Sequence, residues 1–371
     1  MTRGRFRISP KLRLLLLLVV AESLLLVVAE LALRTWAHNG RISYETFDAR
    51  RGTPALVPGR HTTPFGEIEI DEQGFVAGAI AEVATSPGHP LPTFRIVALG
   101  DSCTFGAGDA ESTYPAMLER HLRGQERSGL DYRVVNAGIA GLNSDEAVGR
   151  LDYALDVVRP DVVTIYLGWN DLMKGSPWSQ TRAAPLSPLW REIDGLWLTR
   201  GFRKLLFYHL RARVGSPRTG SDGQTGRFAN FRPDYFEENL FILIEETRKA
   251  HARPLLVTLP HSLRRDLQPM DLMGRTLQYP YFHSGNVLGD FVDLIERYNE
   301  AIRRVGTAHA VPLADVAERF DHVIRKQDYF LDTMHPNRRG NILIAEVLER
   351  ALRDSGLLEK PPLPVDLGRD G

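Results

Sequence analysis

A serine in a glycine-flanked turn is the first residue of this sequence that could do chemistry. Ser102 ends the triplet Gly100-Asp101-Ser102, which follows the apolar run 96–99 and precedes a segment with a helical pattern. A strand that feeds a helix through such a turn places the hydroxyl at the carboxyl end of a sheet, where open α/β folds bind ligands. A serine attacks an acyl group only when a base removes its proton. The turn therefore predicts a nucleophile, provided that the chain also supplies a base.

The best candidate for that base is His335, in the loop sequence Asp332-Thr-Met-His-Pro336. Asp332 can accept a hydrogen bond from one nitrogen of the ring, which would fix the tautomer and stabilise the imidazolium. None of the other ten histidines lies in an Asp-x-x-His-Pro sequence. Ser102, Asp332 and His335 therefore predict a serine hydrolase, and the fold must bring them together because they lie far apart in the chain.

Four short blocks, taken in order, carry a family resemblance. They are Gly100-Asp-Ser102, Asn136-Ala-Gly-Ile-Ala-Gly141, Gly168-Trp-Asn-Asp171 and Asp332-Thr-Met-His-Pro336. This series resembles the SGNH, or GDSL-type, hydrolase superfamily, over roughly residues 94–352. The resemblance implies a flavodoxin-like three-layer α/β/α sandwich with a parallel five-stranded sheet in the order 2-1-3-4-5. It also implies that the amides of Ser102 and Gly141 and the side chain of Asn170 bind the oxyanion.

The hydrophobic pattern between the blocks alternates between strands and helices. Strands are expected at 96–99, 132–136, 161–167, 254–259 and 311–316. Helices are expected at 112–122, 144–158, 236–252, 291–307 and 340–354. Strands that are mostly separated by helices favour a parallel sheet covered on both faces.

Residues 1–37 predict a basic cytoplasmic segment followed by a transmembrane helix. Five basic residues precede the apolar segment 14–33, namely Arg3, Arg5, Arg7, Lys11 and Arg13. That segment is about as long as a bilayer crossing requires, and positive charge before it predicts a cytoplasmic N-terminus and an exported catalytic domain. A cleaved signal peptide is the alternative, although its apolar region is usually shorter. The expectation is a single-pass protein of the inner membrane with a periplasmic domain, as in the membrane-anchored bacterial members that the chain resembles.

The remaining chain divides into three parts. Residues 38–93 predict a lead-in with a strand or hairpin and a linker, 94–355 the hydrolase domain, and 356–371 a disordered tail. Within the hydrolase domain, 172–235 departs from the alternation of strands and helices and is rich in tryptophan. One interpretation is a basic amphipathic insertion that covers the active site or rests on an anionic membrane. The other is an ordinary helix packed on the core. Trp169 and Trp178 are candidates for lining the substrate.

Composition excludes several other classes of function. Lys plus Arg equals Asp plus Glu at 46 each, so the net charge gives no support for a nucleic-acid partner. No sequence typical of a metal site or a phosphate-binding loop occurs, so neither a metal nor a cofactor is expected. Cys103, the only cysteine, could itself be a nucleophile beside Ser102. The four blocks align on the serine, which favours Ser102.

The substrate is less well determined than the chemistry. An exported serine esterase favours acyl esters, acetyl esters first, on envelope polysaccharide or related molecules. Four alternatives stay open: an O-acyltransferase with the same triad, a lipid esterase or lysophospholipase, a thioesterase, and a non-catalytic envelope protein that binds glycan or partners. The sequence leaves acyl length, protein partners and oligomeric state undetermined.

Overall fold

The computed structural model of this chain describes residues 9–39, 44–63, 66–78, 91–106, 110–124, 129–174, 231–264 and 288–359. The chain divides into two compact units. The first comprises residues 1–43 and 184–218, and the second comprises residues 44–183 and 219–371. Every predicted catalytic residue lies in the second unit.

The first unit contributes helix α1, Pro10–Asn39. Large apolar side chains along it are exposed, among them Leu24, Leu25 and Leu31. Across the described ranges, we find no helix that combines the length and the apolar character of a membrane span. The transmembrane helix expected at 14–33 stays a prediction.

The second unit begins with two antiparallel hairpins. Strands β1 (Glu45–Asp48) and β2 (Thr53–Leu56) form the first, and β3 (Gly59–Thr63) and β4 (Gly66–Ile70) form the second. Both lie in the region for which a strand or hairpin was expected. The domain boundaries drawn from the sequence, at 37, 93 and 355, stay predictions.

A parallel sheet of five strands forms the centre of the second unit. Its strands are β5 (Thr93–Gly100), β6 (Asp131–Asn136), β7 (Val162–Tyr166), β8 (Arg253–Val257) and β9 (Leu313–Ala314). Their order is β6-β5-β7-β8-β9, which is the 2-1-3-4-5 order that the family resemblance implies. All residues of β7 are buried, as expected for an inner strand that is covered on both faces. The predicted parallel α/β sheet is confirmed.

The strand order also decides where the helices lie. Among the described residues of this unit, the helices are α2 (Ser102–Phe105), α3 (Tyr114–Arg123), α4 (Ser144–Val158), α5 (Trp169–Lys174), α6 (Asp234–Lys249), α7 (Leu288–Ala308), α8 (Val316–Asp321) and α9 (Arg338–Asp354), with 3₁₀ turns at Ala110–Ser112 and Lys326–Tyr329. Helix α3 links β5 to β6 in one direction and α4 links β6 to β7 in the other, so right-handed crossovers put them on opposite faces. Accordingly α3 packs against α9, and α4 packs against α6. The result is a three-layer α/β/α arrangement.

Local capping explains where element boundaries differ from the sequence expectations. Thr113 caps α3, so this helix begins at Tyr114 rather than at 112. Asn337 accepts bonds from the amides of Arg339 and Gly340, so α9 begins at Arg338 rather than at 340. The strand expected at 311–316 is only two residues long. Asp315 ends it by capping α8, a helix that the apolar pattern did not predict.

The lead-in is fastened to the sheet through a buried arginine. Arg150, on α4, donates from Nη2 to the carbonyl oxygen of Gly74 at 2.9 Å and from Nε to that of Ala137 at 3.1 Å. Its guanidinium lies 4.7 Å from the ring centroid of Phe75, and burial lowers the pKa of Arg150 to about 10. Val76 then pairs with Asn136 at the end of β6. The part of the lead-in around Phe75 and Val76 is therefore packed in the core of the second unit.

Two expectations concern segments at the ends of the described ranges. Residues 356–359 of the expected disordered tail are ordered: the Leu357 amide donates to the carbonyl of Leu352, and Leu357 and Leu358 are buried. The rest of the tail lies outside the described residues. So does most of the expected insertion at 172–235, including Trp178, because the description stops at 174 and resumes at 231.

Candidate active site

Ser102 occupies the first position of the one-turn helix α2, separated by one residue from strand β5, which lies between β6 and β7 in the sheet. The carboxylate of Asp101 accepts the amide of Cys103 at 2.9 Å, and the Asp101 carbonyl accepts the amides of Thr104 and Phe105. A Cβ at Gly100 would lie 1.9 Å from Thr104 Oγ1, so no side chain fits there. The Gly-Asp-Ser sequence thus fixes a tight turn that leaves the serine half-buried and its hydroxyl at the carboxyl edge of the sheet.

The loop that carries the histidine lies 233 residues after this serine in sequence but is next to it in the fold. His335 Nε2 lies 2.8 Å from Ser102 Oγ, and His335 Nδ1 lies 2.6 Å from Asp332 Oδ2. With the Nδ1 proton donated to the carboxylate, Nε2 carries the lone pair that can accept the serine proton. The structure therefore brings together the three residues that the sequence analysis predicted as nucleophile, base and orienting acid.

The aspartate is held as an anion. Burial alone would raise the pKa of Asp332, but hydrogen bonds from the ring and amide of His335 and from the amide of Met334 outweigh it and hold that pKa below its ordinary value. Asp332 Oδ1 accepts those amides at 2.8 Å from His335 and 2.9 Å from Met334. An ionised carboxylate bonded to Nδ1 stabilises the imidazolium that forms when the ring takes a proton.

The loop that carries the histidine is closed by backbone hydrogen bonds. The amide of Leu331 donates to the carbonyl of His335 at 2.8 Å, and the amide of Asn337 donates to that of Tyr329 at 2.9 Å. From the end of β8, the amide of Ser262 donates to the carbonyl of Thr333 at 2.9 Å. These bonds fix the position of the ring before any substrate binds, so little reorganisation is needed for proton transfer.

The alternative nucleophile, Cys103, is turned away from this chemistry. Its side chain is 2% exposed, and its Sγ lies 3.5 Å from the carbonyl oxygen of Met334. Burial, with the nearby carboxylates of Asp101 and Asp332, raises the pKa of the thiol well above its ordinary value. A buried neutral thiol is a poor nucleophile. Cys103 instead helps to join the serine turn to the histidine loop.

The two predicted oxyanion donors outside the serine turn lie on either side of it. Gly141 is in the loop after β6 and has a φ of 82°, a conformation that favours glycine; Asn170 is half-buried at the start of α5, after β7. Because β6 and β7 are the two neighbours of β5, both loops flank Ser102 at the same sheet edge. A Cβ at Gly138 would lie 2.3 Å from the amide nitrogen of Phe105, so the loop after β6 packs directly on α2. The oxyanion role of Gly141 and Asn170 stays a prediction.

Trp169 does not lie where a substrate could stack on it. The side chain is 1% exposed and belongs to the hydrophobic core. The expectation that it lines the substrate came from the cluster of tryptophans in this part of the sequence, but the start of α5 turns its ring inward. Trp178, the other candidate, lies outside the described residues.

Sequence reasoning missed a group of buried polar residues around the site. They are Arg150, Ser144 and Asn239, which are 1%, 0% and 3% exposed. All three are on helices, where a polar residue normally faces water. The only available signal was the position of Ser144 three residues after the second block, and it did not indicate a buried partner.

Comparison with known proteins identifies the family. The sequence profile of the GDSL-like Lipase/Acylhydrolase family matches residues 98–342, well over half of the chain. The chain belongs to this family. The match spans the serine turn, both flanking loops and the histidine loop, and at the level of the family it confirms the predicted class of ester-hydrolysing enzyme.

Individual relatives match over shorter stretches. The chain is 37% identical to Esterase TesA of Pseudomonas aeruginosa over 101 residues, which are 27% of this chain and 48% of that protein. It is 34% identical to an arylesterase of Vibrio mimicus over 84 residues, 22% of this chain and 40% of that protein. The chain thus spans about half the length, or less, of the curated relatives it matches. A crystal structure of TesA covers 70% of this chain and 98% of its own, with 19% identity and a TM-score of 0.41, too distant to bear on function.

Proposed function

We propose that this protein is a serine esterase that hydrolyses acyl esters through an acyl-enzyme on Ser102. One observation carries the proposal: the unbroken chain of hydrogen bonds from Ser102 Oγ through His335 to Asp332, at 2.8 and 2.6 Å. A nucleophile, a base and an orienting carboxylate in this geometry are what acyl transfer requires. Membership of a family of lipases and acylhydrolases supports the same conclusion.

The first half-reaction forms the acyl-enzyme. Ser102 Oγ attacks the carbonyl carbon of the ester while His335 Nε2 takes the serine proton, and Asp332 stabilises the resulting imidazolium. The carbonyl oxygen becomes an oxyanion that accepts hydrogen bonds from the predicted donors: the amides of Ser102 and Gly141 and the side chain of Asn170. The bond to the alcohol then breaks, and His335 returns its proton to the leaving alkoxide.

The second half-reaction releases the acid. A water molecule gives its proton to His335 Nε2 and adds to the acyl carbon, and the same donors bind the second oxyanion. When this intermediate collapses, the bond to Ser102 Oγ breaks and the serine regains a proton from His335. All proton transfers use residues of this chain, so the cycle balances with water as the only co-substrate.

The acyl group is the finer part of the proposal. We infer acetyl and other short acyl esters on envelope polysaccharide or a related hydroxylated molecule. Its supports are the exported placement expected from the N-terminal sequence and two relatives named as an esterase and an arylesterase. Lipid esters, thioesters and transfer to a sugar hydroxyl are the competing outcomes.

A series of p-nitrophenyl esters of increasing acyl length tests this proposal on the full chain in detergent. We expect turnover of the acetyl and butyryl esters, with kcat/KM falling for longer chains. A preference for long chains moves the substrate to lipid, and a product yield that rises with added acceptor sugar moves the reaction to acyl transfer. No turnover of any ester contradicts the esterase.

Membrane attachment is proposed separately from the chemistry. The support is the basic N-terminal sequence, the segment 14–33, which is rich in leucine and valine but contains Glu22 and Glu30, and the exposure of side chains such as Leu24 and Leu25 on α1. We expect the full chain to fractionate with bacterial membranes after alkaline washing, and we expect its C-terminus, fused to a reporter active only outside the cytoplasm, to show activity. Release of the protein by alkaline washing contradicts the anchor. A fused reporter that shows no activity contradicts the export of the C-terminal domain.

A further inference from the structure

Asp171 connects two loops that carry predicted oxyanion donors. Its carboxylate is 8% exposed and accepts the Ser144 amide at 3.2 Å on Oδ1 and 3.0 Å on Oδ2. It also accepts the hydroxyl of Ser144 on Oδ1 at 2.5 Å. Asp171 directly follows Asn170, and Ser144 lies three positions after Gly141. The three bonds therefore join the start of α4, where the loop after β6 ends, to the start of α5, which follows β7.

A third helix also bonds to Ser144. Asn239, on α6, donates from Nδ2 to Ser144 Oγ at 2.9 Å, and its side chain is 3% exposed. Ser144 Oγ thus accepts from Asn239 while it donates to Asp171, so the orientation of the hydroxyl is determined. Helices α4, α5 and α6 meet at this one serine. A buried polar cluster whose members are hydrogen-bonded to one another holds its partners in a single arrangement.

The topology explains why the hydrogen bonds between Asp171 and Ser144 matter for catalysis. The loops after β6 and β7 lie on opposite sides of Ser102, because β5 is between these strands. The sheet itself gives no direct bond between β6 and β7. A donor displaced by about 1 Å can reduce the rate by about a hundredfold. Some other contact must therefore fix the distance between the two loops, and the Asp171–Ser144 bonds provide it.

We propose that Asp171 is a positioning residue that sets the oxyanion site by holding the Gly141 and Asn170 loops at a fixed separation. This inference rests on the proposed esterase function. The bonds of the Asp171 carboxylate to Ser144 tie Asp171 to the Gly141 loop, and Asp171 directly follows Asn170, so it acts on the reaction through the two donors. A turn-forming role alone would not require its carboxylate to bond Ser144, which belongs to another element.

The test compares Asp171→Ala and Asp171→Asn with the unchanged chain in hydrolysis of p-nitrophenyl acetate. We expect kcat to fall roughly ten- to a hundredfold, less than the loss expected for a donor itself, with KM within about threefold. The pH at which the acid side of the kcat/KM profile reaches half its maximum should not move, because His335 and Asp332 are untouched. Glu119→Gln is the matched control: Glu119 is a carboxylate of similar burial that accepts the Val134 amide at 2.7 Å, and its change should leave kcat within about twofold.

A double-variant cycle separates positioning from general loosening of the fold. If Asp171 acts through Asn170, then Asp171→Ala combined with Asn170→Ala should lose less activity than the product of the two single losses. Multiplicative losses, an unchanged kcat, or an equal loss in Glu119→Gln overturn the proposal.

A second measurement does not depend on turnover. A fluorophosphonate reacts when Ser102 Oγ bonds to phosphorus, His335 takes the serine proton and fluoride leaves, with the phosphoryl oxygen in the place of the oxyanion. We expect the rate of this labelling, followed by intact mass, to fall about tenfold or more in Asp171→Ala. If the wild-type protein is labelled but hydrolyses no ester, the esterase proposal fails. The ratio of the labelling rates of wild type and Asp171→Ala still tests the positioning role of Asp171. Equal labelling rates overturn it, and so does an unchanged chain that is neither labelled nor active.

Discussion

Ser102→Ala is expected to lower kcat for p-nitrophenyl acetate by about 10⁴- to 10⁶-fold, the range seen when a serine hydrolase loses its nucleophile. The serine hydroxyl is the atom that forms the bond to the acyl carbon, and no neighbouring group can replace it. Cys103 is adjacent in sequence, but its thiol is 2% exposed and bonded to the Met334 carbonyl. The measurement is initial-rate hydrolysis by the purified variant, with circular dichroism to establish that it is folded.

Ser355→Ala provides the matched control for this change. The Ser355 hydroxyl donates to the carbonyl of Ala351 at the end of α9, away from the carboxyl edge of the sheet. Its loss should leave kcat unchanged within about twofold. Retention of more than a few per cent of the activity in folded Ser102→Ala contradicts the acyl-enzyme at this residue.

Asp332→Asn is expected to have the second large effect, a fall in kcat of about 10⁴-fold. An asparagine side chain has the same shape but presents an amide where Oδ2 now accepts the Nδ1 proton of His335 at 2.6 Å. The ring then adopts the other tautomer, with the proton on Nε2, and cannot accept the proton of Ser102. KM should change much less than kcat, because the residue does not touch the substrate.

Stability should respond to the same substitution in a pH-dependent way. The pKa of Asp332 is lowered in the folded protein, so its carboxylate contributes stability that is present above the ordinary aspartate pKa and is lost as pH falls through the lowered value. Asp332→Asn should therefore reduce the thermal midpoint at pH 7 and make that midpoint fall less steeply as the pH is lowered.

Asp131→Asn is the control. The pKa of Asp131 is also lowered, because hydrogen bonds and charges from Arg123 and Arg133 outweigh burial, but Asp131 lies at the amino end of β6. It should affect stability without the loss of kcat, and equal losses in both variants contradict the triad.

The triad could be predicted because its evidence is local in sequence. A glycine-flanked turn after an apolar run leaves few positions for the hydroxyl of Ser102, and Asp332 lies three residues before His335, within reach of its ring. The parallel sheet followed from the alternation of apolar runs with helical periods. These signals involve neighbours along the chain, which is the information that a single sequence contains.

The remaining features depend on contacts between distant segments. Asp315 lies in an apolar run that resembles a strand, but it caps α8 and bonds Arg303 of α7, a partner that no local pattern indicates. Trp169 follows a glycine in a site loop, and only the packing of the core decides that its ring points inward. Arg150 looks like a surface residue of α4 until the lead-in covers it. Asp171 looks like a turn residue until Ser144 is placed beside it.

The most direct test of the central claim is to trap the acyl-enzyme. The full chain is mixed with p-nitrophenyl acetate, quenched with acid during turnover, digested and analysed by mass spectrometry. The proposed mechanism predicts one acetyl group on the peptide that contains Ser102, fragmentation that places it on the serine oxygen, and its absence in Ser102→Ala. Hydrolysis that continues with no adduct, or an adduct on Cys103 instead, contradicts the mechanism.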